Sequence, residues 1–200
     1  MINIKDTDLT FIHIPKCGGT SITQALKEKY EIEKCGVGVH SGTYNYDKGK
    51  EYVVSVRNPY DRCYSHYHFY VEWIKKMLDG ELPLKRNKRT RKEWLKILHL
   101  LEEIEFSGWV LALTDQEVID YYVDEYGIER DAFRCQVDWF KDTNKPVHIH
   151  KIEEGTIWQF LNITQKHLKK STYKTVEYTQ KQKDIVYEYY KDDFKRIGYK

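Results

Sequence analysis

The sequence predicts an α/β domain of three layers, in which a short central parallel sheet is flanked by helices on both faces. Two segments carry this prediction, because in each of them an apolar, β-prone run leads through turn residues into a helical pattern. The first strand is predicted over residues 9–14 and the second over residues 53–56. Parallel strands joined by helices end at the same edge of the sheet, and ligands of such proteins bind at that edge. A binding site is therefore expected where these two strands end.

The turn after the first strand contains a lysine followed by two glycines, in the run Pro15-Lys16-Cys17-Gly18-Gly19-Thr20-Ser21. Apolar residues then recur at helical spacing over residues 22–26, and we expect Thr20 and Ser21 to cap that helix. In this order of elements the free N–H groups and the positive end of the helix dipole face the turn. Two glycines let a phosphate approach the backbone closely, and Lys16 adds a mobile charge. The run predicts a phosphate-binding loop, with a tight turn that binds nothing as the alternative.

The second strand ends at Arg57, directly before a helix start. Asn58 suits the N-cap, Pro59 suits the first helical position, and Asp61 is placed for a capping box. A nucleotide kinase needs an aspartate near this strand end to hold magnesium. Arginine instead makes forked hydrogen bonds to phosphate, which suits a ligand with a second phosphate, and Ser65 can add a hydroxyl. An arginine that pairs with a carboxylate or a helix end is the alternative.

Together the two motifs resemble the sulfotransferases that use 3′-phosphoadenosine-5′-phosphosulfate, most closely the carbohydrate sulfotransferase branch. The loop of that branch often reads Ile-Pro-Lys-Thr/Cys-Gly-Gly-Thr-Ser. The resemblance implies a P-loop-like fold and a reaction that requires no metal. It implies that the 5′-phosphosulfate is held by Lys16, Cys17, Gly18, Gly19, Thr20 and Ser21. It also implies that Arg57 and Ser65, eight residues apart, hold the 3′-phosphate. Weaker similarity covers residues 133–140, which have a central glutamine, and residues 148–154 and 187–199.

The resemblance further implies an enzyme that transfers a sulfuryl group to an acceptor hydroxyl, here expected on a carbohydrate. Such a transfer needs a base for the hydroxyl proton and a cation beside the leaving phosphate. In relatives the loop lysine stabilises the oxygen that bridges sulfur and phosphorus, which assigns that role to Lys16. Several carbohydrate sulfotransferases carry a catalytic histidine between the two motifs, which makes His40 the predicted base. Imidazole titrates near pH 6.5, as a base at neutral pH should. A turn histidine without a role is the alternative.

Two other functions remain open from the sequence. A P-loop nucleotide kinase is opposed by the lysine that precedes the glycines and by Arg57. A non-catalytic module could bind the nucleotide and hold an anionic glycan through residues 85–92, which contain six cations in eight residues. That basic segment also suits a solvated loop. Nucleic acid is not an expected partner, because no DNA- or RNA-binding motif is present.

Composition suits one compact domain over residues 1–200, since 40% of the residues are hydrophobic and 14% are aromatic. The net charge of +2 neither requires nor excludes an acidic partner. The four cysteines show no metal-binding spacing, so we expect reduced thiols and no metal. Residues 1–8 lack an apolar signal core and no run of about 18 apolar residues occurs. These features predict a soluble, cytoplasmic protein without a membrane anchor.

The remaining elements follow from periodicity. Apolar stripes predict helices over residues 60–71, 94–104 and 118–126, with Gly127 as the last helix stop. Thr179 and Gln182 predict a capping box for one final helix that carries Val186 to Phe194. Alternating residues predict a strand at 147–150, and His13 is expected to be a core histidine of the first strand.

Overall fold

The computed structural model describes residues 1–36, 40–44, 46–82, 90–166 and 176–199. Within these ranges the strands are β1 (Ile2–Ile4), β2 (Leu9–Ile12), β3 (Ile32–Lys34), β4 (Glu51–Val56) and β5 (Val147–Lys151). The helices are α1 (Gly19–Lys29), α2 (Pro59–Leu78), α3 (Arg91–Ala112), α4 (Gln116–Tyr126), α5 (Thr156–Phe160), α6 (Gln180–Tyr189) and α7 (Lys191–Ile197). Two short 3-10 helices span Arg130–Ala132 and Gln136–Trp139.

The strands form one mixed sheet in the order β3-β1-β2-β4-β5. The prediction of an α/β fold is confirmed, and β2, β4 and β5 are parallel as expected. The parallel strands form the centre and one edge of a mixed sheet, because β1 runs antiparallel to both β2 and β3. Only a short turn separates β1 from β2, and such a connection is too short for the crossover that parallel strands need.

Helices cover both faces of the sheet, because apolar side chains alternate along the strands. Phe11 and Val53 face the side that packs against α1 and α5. Ile12 and Val54 face the other side, where the 3-10 helix Gln136–Trp139 and Ile197 of α7 pack. Both faces are thereby buried, as central parallel strands require.

The chain divides into two compact units. The first unit contains the sheet and comprises Met1–Arg62, Arg134–Thr172 and Tyr190–Lys200; the second comprises Cys63–Phe133 and Tyr173–Tyr189. The second unit is helical and has an aromatic core, in which the rings of Trp109 and Phe133 stack at 4.8 Å. The prediction of a single domain over residues 1–200 stays a prediction, since two compact units do not show whether either folds alone.

Most predicted helix signals are confirmed. Asn58 caps α2, with its Oδ1 accepting from the Tyr60 N–H at 3.0 Å. Gly127 ends α4 with a left-handed φ of 59°. Gln182 N–H donates to Thr179 Oγ1, while Gln182 Oε1 accepts from the Thr179 N–H at 2.9 Å, which forms the predicted capping box.

The prediction of one final helix was wrong. Tyr190 has φ −99° and ψ 24°, which separates α6 from α7. The break places α7 in the first unit, where the buried carboxylate of Asp193 accepts hydrogen bonds from the backbone N–H groups of Gln136 and Val137. No helix in the described ranges combines the length and the apolar character needed to cross a bilayer.

Candidate functional site

The glycine-rich loop after β2 has a backbone in which left-handed residues alternate. Lys16 has φ 66° and Gly18 has φ 77°. This region costs a lysine on the order of 1 kcal/mol or more, and such residues concentrate at functional sites. Gly18 is the N-cap of α1, and no side chain caps it. The prediction that Thr20 and Ser21 cap α1 was wrong, because the helix begins at Gly19 and both residues lie inside its first turn. No side chain therefore caps the N–H groups at the start of the helix, where an anion site would use them. The Ser21 N–H donates to the Gly18 carbonyl oxygen at 3.0 Å.

Both glycines are required sterically. A Cβ atom on Gly19 would lie 2.0 Å from Cδ2 of the His13 ring. A Cβ atom on Gly18 would lie 2.9 Å from Cδ1 of Ile152, at a φ that only glycine adopts easily. His13 is 7% exposed and confirms the expected core histidine, but its ring packs directly against the loop.

Buried polar side chains form hydrogen bonds with the loop. Ser55 Oγ donates to the Cys17 carbonyl oxygen at 2.6 Å. The Arg62 guanidinium is 1% exposed, and its Nε donates to the Pro15 carbonyl oxygen at 3.3 Å. The Cys17 thiol donates to Oε1 of Gln136 at 3.1 Å, and burial raises the pKa of this thiol to about 12. The thiol is therefore a buried hydrogen-bond donor rather than a nucleophile, and no disulfide forms at any of the four cysteines.

Arg57 and the loop meet at one edge of the sheet. β2 and β4 are parallel neighbours, with Ile12 beside Val54. The segments that follow these two strands therefore begin at the same edge of the sheet. Nη1 of Arg57 lies 3.4 Å from the Lys16 carbonyl oxygen. The two motifs, separated by about 40 residues of chain, thus place a guanidinium and a phosphate-type loop together.

Gln136 connects the two motifs, and its position in the sequence predicted no role for it. Its Oε1 accepts from the Arg57 N–H at 2.8 Å, and its Nε2 donates to the Arg57 carbonyl oxygen at 2.8 Å. The same Oε1 accepts from Cys17, and Nε2 also donates to Asp193 at 3.2 Å. Its only sequence signal was its central place in the segment 133–140 that resembles the sulfotransferases.

A residue far away in the sequence accepts a hydrogen bond at the start of α2. Asp61 was predicted as the capping-box acid, but Glu153 Oε1 is the acceptor of the Asn58 N–H at 2.7 Å. The hydroxyl of Tyr199 donates to the other carboxylate oxygen of Glu153 at 3.0 Å. The burial of Tyr199 and the Glu153 charge beside it raise the pKa of the phenol. The acidic turn after β5 and the C-terminal residues therefore support the backbone next to Arg57.

His40, the predicted base, lies beside the loop. Its Nδ1 is 3.2 Å from the His13 carbonyl oxygen, and the two imidazole rings meet edge to face at 4.8 Å. Because a carbonyl oxygen can only accept, Nδ1 is the donor in this contact, and in the neutral imidazole the free electron pair is then on Nε2. Nε2 is thus the atom able to take a proton. Residues 37–39, which directly precede His40 in the sequence, lie outside the described part of the chain.

A cluster of aromatic and cationic side chains adjoins His40. The indole of Trp139 contacts the His40 ring at 6.4 Å and the Tyr44 ring at 6.1 Å. The Arg134 guanidinium lies 4.7 Å from the centre of the Tyr44 ring, and its Nη1 donates to the Tyr44 hydroxyl at 2.6 Å. Tyr44 is 41% exposed. An exposed phenol ring beside a guanidinium suits contact with a polar, hydroxyl-rich molecule.

The other predicted site features are separate from this group. Ser65 is 3% exposed on α2 and belongs to the second unit, so its partnership with Arg57 stays a prediction. Most of the basic segment 85–92 falls on residues 85–89, which are outside the described residues. Of its described cations, Arg91 donates from Nη1 to the Leu78 carbonyl oxygen at 2.6 Å. Among the described residues, no group of three or more histidine, cysteine, aspartate or glutamate side chains is placed to hold a metal ion.

Comparison with known proteins finds no matching family model, no matching curated protein and no matching solved structure. The sulfotransferase resemblance therefore depends on the residues of the two motifs.

Proposed function

We propose that this protein is a sulfotransferase with a P-loop-like fold, which transfers a sulfuryl group from 3′-phosphoadenosine-5′-phosphosulfate to a hydroxyl of a carbohydrate. The observation that carries the proposal is the meeting of Arg57 with the loop Lys16–Ser21 at the carboxyl edge of β2 and β4. A loop built for one phosphate and an arginine beside it suit a nucleotide with phosphates at two positions.

Backbone N–H groups and cationic side chains bind the negatively charged nucleotide that donates the sulfuryl group. The uncapped first turn of α1 and the hydroxyls of Thr20 and Ser21 bind the 5′-phosphosulfate, with Lys16 beside it. Arg57 binds the 3′-phosphate, together with Ser65. Glycine is needed at both positions for the loop to keep this shape, because His13 and Ile152 leave no space for a side chain there.

Transfer exchanges one bond at sulfur for another. The acceptor hydroxyl gives its proton to Nε2 of His40 as its oxygen forms a bond to sulfur. The bond between sulfur and the bridging oxygen of the 5′-phosphate breaks at the same time, and the electron pair stays on that oxygen. Lys16 stabilises the charge that develops there, leaving 3′-phosphoadenosine-5′-phosphate as the second product.

The acceptor side of the site is supplied by the cluster around Trp139. His40 and Tyr44 both contact this indole, so a sugar that rests on the exposed Tyr44 ring is close to the base. Arg134 beside Tyr44 adds hydrogen-bond donors for sugar oxygens. These contacts support a carbohydrate acceptor.

Calorimetric titration tests the nucleotide class. The purified protein is titrated with 3′-phosphoadenosine-5′-phosphate, with magnesium ATP and with AMP, which lacks the 3′-phosphate. We expect tight binding of the first nucleotide alone. Arg57→Ala should lower the affinity for it by at least about tenfold, which corresponds to the binding free energy of one hydrogen bond to a charged group. Arg130→Ala is the matched control, because Arg130 pairs with Asp120 on the second unit.

Each other outcome points to a different function. Equal or tighter binding of magnesium ATP overturns the proposal in favour of a nucleotide kinase. Tight binding of the bisphosphate nucleotide without transfer from labelled donor to any carbohydrate supports a non-catalytic binding module.

A further inference from the structure

The side chain of Gln136 is fully buried, with 0% exposure. A buried amide without partners costs several kcal/mol, so such a residue persists where its hydrogen bonds are made. Here both atoms are used twice: Oε1 accepts from Arg57 and Cys17, and Nε2 donates to Arg57 and Asp193. Because the Arg57 N–H must donate and its carbonyl must accept, the orientation of the amide is fixed.

The amide pairs with Arg57 as a neighbouring strand would. The pairing of β2 with β4 ends at Ile12 and Val54, since the chain then turns into the glycine-rich loop. Three residues later, the Gln136 amide makes two hydrogen bonds of 2.8 Å with the main chain of Arg57. It thereby adds hydrogen bonds to this chain beyond its last pair with β2, directly after the last pair of β4 with β5 at Val56 and Lys151.

The same amide also contacts the loop. Its Oε1 accepts from the Cys17 thiol, and Cys17 follows Lys16 directly. Asp193 of α7 orients Gln136, because the Oδ2 atom of Asp193 accepts from the backbone N–H of Gln136 at 2.9 Å and also from its side-chain Nε2. One rigidly oriented side chain is therefore bonded to both phosphate motifs.

We infer that Gln136 is a positioning residue which sets the spacing between the glycine-rich loop and Arg57, so that the two phosphate groups of one nucleotide are bound together. This inference rests on the proposed function. Gln136 itself contacts neither phosphate in this assignment; it acts through the backbone of Arg57 and through Cys17. The consequence is that its loss weakens the simultaneous binding of two phosphates more than the binding of either one.

Three nucleotides separate this role from a merely structural one. AMP carries the 5′-phosphate, adenosine 3′-monophosphate carries the 3′-phosphate, and 3′-phosphoadenosine-5′-phosphate carries both. We define the coupling ratio as the product of the two mononucleotide Kd values divided by the Kd of the bisphosphate. This ratio measures how well the two phosphate sites bind one ligand at the same time. General damage to the fold lowers all three affinities, whereas a changed spacing lowers the coupling ratio.

The primary variant is Gln136→Met, which keeps the length of the side chain and removes its four hydrogen bonds. We expect the coupling ratio to fall at least about tenfold, with each mononucleotide Kd changing by less than about threefold. Thr10→Val is the matched control, because Thr10 is also buried in the first unit but its hydroxyl bonds to Asn3. The control should keep the wild-type ratio.

Gln136→Glu adds a second test and decides the question if Gln136→Met does not fold. At pH 8 the introduced side chain is a carboxylate, which has no proton to donate to the Arg57 carbonyl oxygen or to Asp193. The coupling ratio should therefore be low. At pH 5 the protonated acid again donates, and the ratio should return toward that of the wild type measured at the same pH. A structural role alone gives no such rescue of the ratio.

The outcomes are distinct. A coupling ratio unchanged in Gln136→Met, or lowered equally in Thr10→Val, overturns the inference while leaving the proposed function intact; so does a ratio for Gln136→Glu that is the same at pH 5 and pH 8. Wild-type protein that binds the bisphosphate no better than AMP contradicts the proposed function itself, and the inference fails with it.

Discussion

The hydroxyl of Ser55, in the central strand β4, donates a hydrogen bond of 2.6 Å to the carbonyl oxygen of Cys17 in the glycine-rich loop. Both residues are buried, with exposures of 1% and 0%. The bond fixes the peptide that lies between Lys16, whose φ is 66°, and Gly18, whose φ is 77°. The shape of the loop is therefore supported by the neighbouring strand as well as by its own residues.

Ser55→Ala should destabilise the protein and weaken nucleotide binding together. The variant leaves the buried Cys17 carbonyl oxygen without this donor, which costs about 1–3 kcal/mol in the free energy of unfolding. Urea denaturation measures that cost, and calorimetry measures the Kd of 3′-phosphoadenosine-5′-phosphate. Thr7→Ala is the control, since the Thr7 hydroxyl donates to Ile4 in the turn at the other end of β2. Equal nucleotide affinity in Ser55→Ala and wild type would contradict the expected role of this bond.

Gly19→Ala should disrupt the loop through contact with His13. The new Cβ atom would lie 2.0 Å from the imidazole ring, so either the ring or the loop must move, at a cost of about 1–3 kcal/mol. Adding His13→Ala removes the obstacle, and the double variant should recover part of the stability that Gly19→Ala alone loses. The double-mutant cycle in thermal or urea denaturation measures this coupling. Strictly additive losses would show that the two residues do not compete for the same space.

His40→Asn should lower the rate of sulfuryl transfer by about 10²–10⁴-fold while leaving the nucleotide Kd close to that of the wild type. The asparagine amide can still donate to the His13 carbonyl oxygen, which His40 Nδ1 now contacts at 3.2 Å, but it provides no base at the position of Nε2. Single-turnover kinetics with labelled donor and an accepted carbohydrate give the rate. Transfer at the wild-type rate would remove His40 from the reaction and leave it a turn histidine.

The buried Cys17 thiol should make the protein less stable in alkaline solution. Burial raises its pKa from 9.0 to about 12, so between these values the folded chain keeps a proton that the unfolded chain loses. The free energy of unfolding therefore falls as the pH rises above 9, by up to about 1.4 kcal/mol per pH unit from this group. Below pH 9 the contribution is complete.

Cys17→Ser isolates this effect, because a serine hydroxyl does not titrate in this range. The difference in the free energy of unfolding between wild type and variant, measured by urea denaturation from pH 8 to pH 10.5, should shift in favour of the variant as the pH rises. A difference independent of pH would show that the Cys17 thiol is not the titrating group.

The elements that periodicity and capping residues define were predictable from local sequence. The carboxyl end of β4, the cap at Asn58 and the stop at Gly127 all follow from preferences of the residues themselves. Strand β2 ends at Ile12, two residues before the predicted end of the first strand. The break at Tyr190 was not predictable, because the apolar stripe continues through it and the interruption reflects the burial of Asp193 against Gln136. Local patterns report which face of a segment is apolar, not which partner it meets.

Local sequence patterns were enough to predict the α/β class, the order of strand, glycine-rich turn and helix, and the place of Lys16 and Arg57 after two strands. The folded chain was needed to show that the Arg57 guanidinium reaches the Lys16 carbonyl oxygen, that His13 packs on Gly19, and that Glu153 replaces Asp61 at the start of α2. The fold also shows that Gln136 joins Cys17 to Arg57, a role that its place in the segment 133–140 did not predict. Strand and helix preferences act between residues a few positions apart, whereas these contacts join residues distant in the chain and depend on how the sheet is ordered and packed.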